Sequence, residues 1–374
     1  MSAPTWTSSD SRFDVSYEGV GCGRLDKLMD AHAVAAQATS LLRALEGKRR
    51  LLVLTHTNPD PDSIGSALGL RHLAREKLGM ETDLALTGRI MRAENKAMVS
   101  ELGIEMIPIT ELNLDDYDCL ALVDTQPGFG HTDLPEGRAM DIVIDHHVPP
   151  ETPLGLPSPS FSDIRTDIGA TSSMVASYMM ELGIEIPADV GTALLYGVKT
   201  DTADLSRNVS DLDEKVYYHL IGRVDRRKLH AITQPDLPLE YFQALRDALN
   251  NIRVFGPVVL CSLGKVMNAE IVAEVADLFL RLDSTRTVYC GGLVANTYHI
   301  SVRTEPSGRD AYYLIRAAVG DEGSFGGHGS IAGGSIQLPD DGQRTLKRLE
   351  RRLERNILQS QGLEDMPLSG LGDT

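Results

Sequence analysis

The stretch "THTNPDPDSIGSALGL", residues 55–70, places two prolines and two aspartates on four consecutive positions, after an apolar run and before a helix-like one. Pro59 and Pro61 lack backbone N–H groups and fix φ, so neither strand nor helix continues comfortably through them. A stiff loop is expected there, holding His56, Asp60 and Asp62, three side chains able to ligate a metal. Working outward, "RRLLVLTH" before the loop reads as a strand, and "SIGSALGLRHLAREKLGM" after it as a helix stopping near Gly79. "TDLALTG" follows as a strand and "RAENKAMVSELG" as a helix, with short apolar runs in "IEMIPI", "CLALVDT" and "DIVIDHH". Strands alternating with helices predict a mostly parallel sheet covered on both faces. Helical spacing marks residues 24–47 upstream, and the pattern turns helical again from "IGATSSMVASYMMELG" to "DVGTALLYGVKTDT".

Residues 226–245 interrupt the periodicity with two prolines and mixed polarity, and read as a linker. A second mixed section follows: strands in "IRVFGPVVLCSL" and "TVYCGGLVANTYHISVRT", helices in "NAEIVAEVADLFLRL" and "RDAYYLIRAAVG", a glycine-rich loop, and a charged helix ending near residue 357. The expected organisation is an extension over 1–23, an α/β domain over 24–225, the linker over 226–245, a smaller α/β domain over 246–357 and a loose tail over 358–374. A chain of 374 residues with 42% hydrophobic residues can furnish two cores. No apolar run approaches about 18 residues, and the first residues lack a basic segment followed by an apolar one. A cytoplasmic protein without membrane contact is expected. Cys22, Cys119, Cys261 and Cys290 show no paired spacing and are assigned no chemistry. The formal net charge of −17 argues against a broad basic surface for long nucleic acid, but leaves room for a small anionic substrate at a local site.

His56, Asp124 and the run Asp145, His146, His147 each come directly after a strand-like apolar run. In an open parallel sheet the carboxyl ends of the strands converge on one edge, where ligands bind. Asp201 adds a carboxylate after a predicted helix. Clustered without a metal, these acids would oppose one another and suffer large pKa shifts. Oxygen and imidazole donors without thiolate suit Mn²⁺ or Mg²⁺, and six or more candidate ligands fit two ions sharing one carboxylate better than one ion. The loop "GSFGGHGSIAGG" has a backbone able to approach an anion closely.

In order, His56-Asp60-Asp62, Asp124, Asp145-His146-His147, Asp201-Thr202 and Gly326-Gly327-His328 to Ala332-Gly333 make five motifs. Their sequence resembles that of the DHH phosphoesterases carrying a DHHA1 substrate-binding domain, over about residues 50–340. Among them the chain is most similar to the bacterial nano-RNases, bifunctional oligoribonuclease and 3′-phosphoadenosine-5′-phosphate (pAp) phosphatases. The resemblance implies a catalytic DHH domain followed by a DHHA1 domain. It implies two Mn²⁺ ions, replaceable by Mg²⁺ or Co²⁺: one held by His56, Asp60 and Asp124, the other by Asp62, Asp124, His146 and Asp201. Asp124 would bridge them, His147 would face the scissile phosphate, and Asp145 would orient the imidazoles. Substrate would be held by Arg303, Gly326, Gly327, His328, Ala332 and Gly333.

The implied substrates are short oligoribonucleotides or small nucleotides, not long duplexes, with a homodimer as the candidate assembly. Cleavage of cyclic-di-AMP or linear dinucleotides is the alternative, and a non-catalytic nucleotide-binding regulator the remoter one, opposed by the intact ligand set. Pyrophosphate-hydrolysing relatives carry a different second domain without the GGH loop, and RecJ-type exonucleases usually add an OB-fold. Two departures, the proline in "PDPD" and Ile331 where alanine is common, remove no ligand and bear on the substrate.

Overall fold

The computed structural model describes residues 22–129, 138–149, 157–305 and 307–367. Most of the expected N-terminal extension and the last residues of the expected tail lie outside these. The chain divides into two units, one from residues up to Arg89 and from Met98 to His230, the other from Ile90 to Ala97 and from Ala231 onward. Among the described residues no helix is long and apolar enough to cross a membrane.

The first unit opens with α1 (Cys22–Leu45), β1 (Arg50–Leu54), α2 (Pro61–Leu78) and β2 (Glu81–Leu86). After α3 (Ala93–Glu101), which is divided between the units, come β3 (Ile107–Pro108), β4 (Cys119–Val123), β5 (Ile142–Asp145) and β6 (Phe161–Ile164). The helices α4 (Thr171–Glu181), α5 (Ala188–Asp201) and α6 (Asp211–Leu220) follow, and α7 (Arg226–Thr233) is divided between the units. The sheet runs β3-β2-β1-β4-β5-β6 with every pairing parallel. Its central strands are buried along almost their whole length, as both-face coverage demands of "LLVL", "CLALV" and "IVID". The strand order reverses between β1 and β4, and the carboxyl edge beside that reversal is where an open α/β sheet leaves a crevice. His56, Asp124 and His146 follow the strands that end there.

The segment 59–62 is not wholly a loop. Asp60 caps α2, its side chain accepting from the Ser63 N–H at 3.0 Å, and Pro61 takes the first helical position, where a missing N–H costs nothing. Asp62 therefore belongs to the first turn of α2. The helix ends on Gly79 in a left-handed conformation, as its sequence predicts.

The second unit contains α8 (Leu239–Asn251), β7 (Arg253–Phe255), β8 (Val258–Lys265), α9 (Glu270–Phe279), β9 (Thr287–Val294) and β10 (Thr297–Thr304). It continues with α10 (Ala311–Val319), β11 (Ser324–His328), β12 (Ile331–Gln337) and α11 (Gln343–Gln361). Its sheet, β11-β12-β10-β9-β8-β7, is antiparallel except between β8 and β9. One face packs on α8 and α9, the other on α10 and α11. Three local expectations change. Residues 226–245 hold α7 and the first half of α8 rather than an irregular linker. The tail's first residues continue α11 to Gln361, stopped by Gly362 at φ 68°. The glycine-rich loop is a β-hairpin, Gly326 pairing with Gly333 and Gly327 with Ala332 around a two-residue turn.

Candidate metal centre

Asp124 stands at the middle of the site. It leaves β4 with φ 58°, a left-handed conformation that a residue with a short polar side chain tolerates, and it is 1% exposed. Its two oxygens face different partners: Oδ2 lies 3.7 Å from His56 Nε2, and Oδ1 lies 3.5 Å from His146 Nε2. Around the first oxygen gather His56 and Asp60, with His56 Nε2 3.7 Å from Asp60 Oδ1. Around the second, His146 Nε2 lies 3.3 Å from Asp201 Oδ2 and 4.0 Å from Asp62 Oδ2. All six sequence-predicted metal ligands are thus brought together in two groups that meet at Asp124.

Local structure fixes each donor. His56 Nδ1 pairs with the Thr57 carbonyl at 3.0 Å and His146 Nδ1 with the Ile168 carbonyl at 3.1 Å, so both rings spend their Nδ1 proton on backbone and turn Nε2 toward the acids. Asp62 accepts the Thr171 and Ser172 N–H groups at the start of α4, at 2.7 and 2.8 Å, where a helix terminus favours an anion. Thr171 also donates its hydroxyl to Asp124 Oδ1 at 3.1 Å. Asp201, the last residue of α5, reaches the cluster because α5 comes very close to α2. A Cβ on Gly197 would sit 2.4 Å from Ser172 Oγ and 2.9 Å from Asp62 Cα, so only glycine fits.

His147 and Asp145 pair at the edge of the cluster, with His147 Nδ1 3.9 Å from Asp124 Oδ1. His147 Nδ1 lies 2.8 Å from Asp145 Oδ1, and the other Asp145 oxygen accepts from Gln126 Nε2 at 2.7 Å. Gln126 also donates to the His147 carbonyl at 2.9 Å, clamping the pair from below. Burial opposes ionisation of Asp145, but the His147 and Gln126 hydrogen bonds hold its pKa below the ordinary value. Gln126 and Thr171 belong to no motif quoted from the sequence. Their only signal is position: one lies two residues after Asp124, the other opens the helix following β6.

The fit to a divalent cation can be tested on His146. Its Nε2 is buried and makes no hydrogen bond of good geometry among the described residues, yet three carboxylates surround it. A buried lone pair facing carboxylate oxygens is repulsive unless a cation or a proton lies among them. An all-oxygen-and-imidazole set suits a divalent ion of the Mn²⁺ or Mg²⁺ type.

Without metal, protons fill that role. Burial and the charge of Asp201 push the Asp62 carboxyl up to about 7, and Asp124 and Asp201 are also raised, chiefly by burial. Burial alone would lower His146, but Asp201 in contact with it and the charge of Asp62 raise it to about 9. Groups with raised folded pKa values stabilise most below their unfolded values, and that contribution is lost as pH rises through the folded ones. The metal-free protein is therefore expected to lose stability as pH rises through about 7 for Asp62 and about 9 for His146. Mn²⁺ affinity should climb over the same interval, because binding displaces those protons. Calorimetric titration at pH 7 in buffers of different ionisation enthalpy should show at least about one proton released per chain. A pH-independent affinity without proton release would count against the assignment.

The residues expected to hold substrate lie in the second unit. Arg303 is 7% exposed, and its guanidinium is already engaged: Nε donates to Asp277 Oδ1 at 2.5 Å, and Nη1 to Ser301 Oγ at 2.7 Å and the Val302 carbonyl at 3.1 Å. Along the sheet Arg303 pairs with Ile331, and Ile331 with His328, so these three share one rung of β10, β12 and β11. The side chain of His328 lies outside what the structure describes. Gly326, Gly327, Ala332 and Gly333 line the two strands of the hairpin beside it.

Residues 50–198 match the model of the DHH family, N-terminal domain. The chain is 34% identical over 327 residues to the uncharacterized protein MJ1633 of Methanocaldococcus jannaschii, covering 86% of this chain and 66% of that protein. It is 26% identical over 181 residues to a probable manganese-dependent inorganic pyrophosphatase of Lactobacillus johnsonii, covering 47% of this chain and 56% of the other. The chain thus spans less than two thirds of the length of these relatives. Among solved structures, an exopolyphosphatase-related protein from Bacteroides fragilis superposes with TM-score 0.67 at 16% identity, over 87% of this chain and 98% of that one. RecJ in complex with Mn²⁺ from Thermus thermophilus superposes with TM-score 0.50 at 15% identity, over 87% and 55%. The matched segment contains β1, β4 and β5 and the residues His56 to His146 that follow them, so residues 50–198 are a DHH-family N-terminal domain.

Proposed function

We propose that the chain is a divalent-metal phosphoesterase that hydrolyses short oligoribonucleotides to nucleoside monophosphates and pAp to AMP. The observation that carries the chemistry is Asp124, which offers one oxygen to each of two ligand groups. His56 and Asp60 would hold one Mn²⁺ with it, and Asp62, His146 and Asp201 the other. When bound, such ions supply an activated water and neutralise charge on phosphoryl oxygens.

The protein's own groups do the rest. His147 has Nδ1 tied to Asp145 and is partly exposed, so its Nε2 is turned out to hydrogen-bond a phosphoryl oxygen or to give a proton to the departing oxygen. The Asp145 carboxylate stabilises the imidazolium in that role, and Gln126 keeps Asp145 in place. Arg303 and the glycine hairpin support a phosphate-holding role for the second unit: a guanidinium steadied by Asp277 and Ser301 loses little entropy on gripping an anion.

An assay of the Mn²⁺-loaded protein against pAp, a linear diadenylate, a five-nucleotide RNA, cyclic-di-AMP and inorganic pyrophosphate tests the reading. Turnover of pAp and the linear RNAs is expected. Rapid turnover of cyclic-di-AMP with little attack on linear dimers would move the assignment to a cyclic-dinucleotide phosphodiesterase, and turnover of pyrophosphate alone would overturn it.

A further inference from the structure

Asp213 lies in the first turn of α6, fully buried. Part of its role is local: the Ser210 N–H and hydroxyl donate to Asp213 Oδ2 at 2.8 and 2.5 Å, and the Asp213 N–H donates back to Ser210 Oγ at 3.2 Å, a capping box. The same Oδ2 also accepts the N–H of Gly169 at 2.8 Å, a bond that helix capping does not require.

Gly169 sits between two supports of the metal centre. Its predecessor, Ile168, takes the Nδ1 proton of His146. Two residues on, Thr171 gives its N–H to Asp62 and its hydroxyl to Asp124. Across from Gly169 runs the loop that leaves Asp201. A Cβ at position 169 would lie 2.6 Å from the Asn208 carbonyl oxygen and 2.7 Å from Thr202 Cγ2, so the two segments are pressed together. That loop holds Ala203, Asp204, Leu205 and Asn208 in left-handed conformations, which persist only where surrounding bonds fix them. Asp213 ties both segments to α6 through one oxygen, while its Oδ1 is buried with no hydrogen-bond partner among the described residues. An unsatisfied buried carboxylate oxygen is a cost that a cap alone does not explain.

We propose that Asp213 is a positioning residue of the metal centre, joining the 168–171 segment to the loop after Asp201 so that His146, Asp62, Asp124 and Asp201 converge. The inference rests on the two-ion reading of that centre. Mn²⁺ binding followed by electron paramagnetic resonance, well below the thermal midpoint of each protein, tests it on wild type, Asp213→Ala, Asp213→Asn and Ser210→Ala. The Ser210 change removes the two hydroxyl bonds of the cap but leaves Asp213 Oδ2 bonded to the N–H groups of Ser210 and Gly169, so it should lower thermal stability and leave Mn²⁺ affinity within about threefold of wild type. Asp213→Ala should weaken Mn²⁺ binding at least about tenfold, as loss of ligand-supporting groups does. Asp213→Asn, which keeps an acceptor oxygen, should fall between them and serves as the comparison should the alanine variant not fold. Affinities for the Asp213 variants equal to that of Ser210→Ala would reduce Asp213 to a cap and overturn the proposal. Absence of Mn²⁺ binding to wild type would instead overturn the metal reading itself.

Discussion

Asp124→Asn is expected to lower phosphodiester hydrolysis by at least about a thousandfold, equivalent to about 4 kcal/mol of transition-state stabilisation. It should also cut Mn²⁺ uptake from two ions to at most one. Among the described residues, Asp124 is the group whose oxygens face both ligand sets, at 3.5 Å from His146 Nε2 and 3.7 Å from His56 Nε2. On the two-ion reading, its loss unmakes both sites together. Asparagine is the better probe than alanine because it tolerates the left-handed backbone at this position. Folding should survive: Asp124 is raised well above the ordinary carboxylate pKa by burial and by Asp62, so removing its charge relieves repulsion in the metal-free protein. The thermal midpoint without metal is expected to stay or rise while activity disappears. Asp145→Asn should cost far less, about ten- to a hundredfold, since Asp145 touches His147 and Gln126 rather than the convergence point. Paired kcat/KM measurements with Mn²⁺ titrations check the order. A larger loss at Asp145, or full activity in chelated protein, would contradict the shared-carboxylate centre.

Asp124 and its partners were legible because the parallel sheet imposes two coincident signals. Strands buried on both faces read as unbroken apolar runs, and the residue ending each run at the carboxyl edge is the one that meets a ligand. His56, Asp124 and His146 satisfy both. β6 escaped because an edge strand alternates, and "FSDI" is too short for alternation to register. The hairpin around His328 reads as a loop because glycine is poorly represented in strands, yet here antiparallel pairing with β12 holds it. Pro238 looks like a break and is in fact the residue preceding α8, a position where proline starts a helix as readily as it ends one. Thr171, Gln126, Asp213 and Asp277 could not be found from spacing. Each is a polar residue that hydrogen-bonds to a segment distant in the chain, and sequence periodicity carries no record of such bonds.

Oligoribonucleotides of two to five residues are expected to be cleaved at least about tenfold faster than a twenty-mer at matched concentration of ends. Affinity for a long strand comes from many cations neutralising successive phosphates, and each such contact adds to the salt dependence. This chain carries 36 Lys and Arg against 53 Asp and Glu, a formal net charge of −17, so added nucleotides bring repulsion with little compensating contact. On the proposed reading, recognition rests on a few fixed groups at one end of the substrate. Arg303 is the one we propose, because Asp277 and Ser301 already hold its guanidinium in one orientation. Arg303→Ala should therefore reduce kcat/KM for substrates ending in a phosphate by roughly ten- to a hundredfold, the effect of one charged hydrogen bond of about 1.5–3 kcal/mol. It should matter less for substrates lacking that phosphate. The partly exposed Asp277 left behind can be solvated, so the variant should fold and the comparison remain one of recognition. Steady-state rates for dimer, pentamer and twenty-mer, each with and without a terminal phosphate, separate the two effects. Equal rates for dimer and twenty-mer would reject end recognition and favour an exonuclease that tracks along a strand.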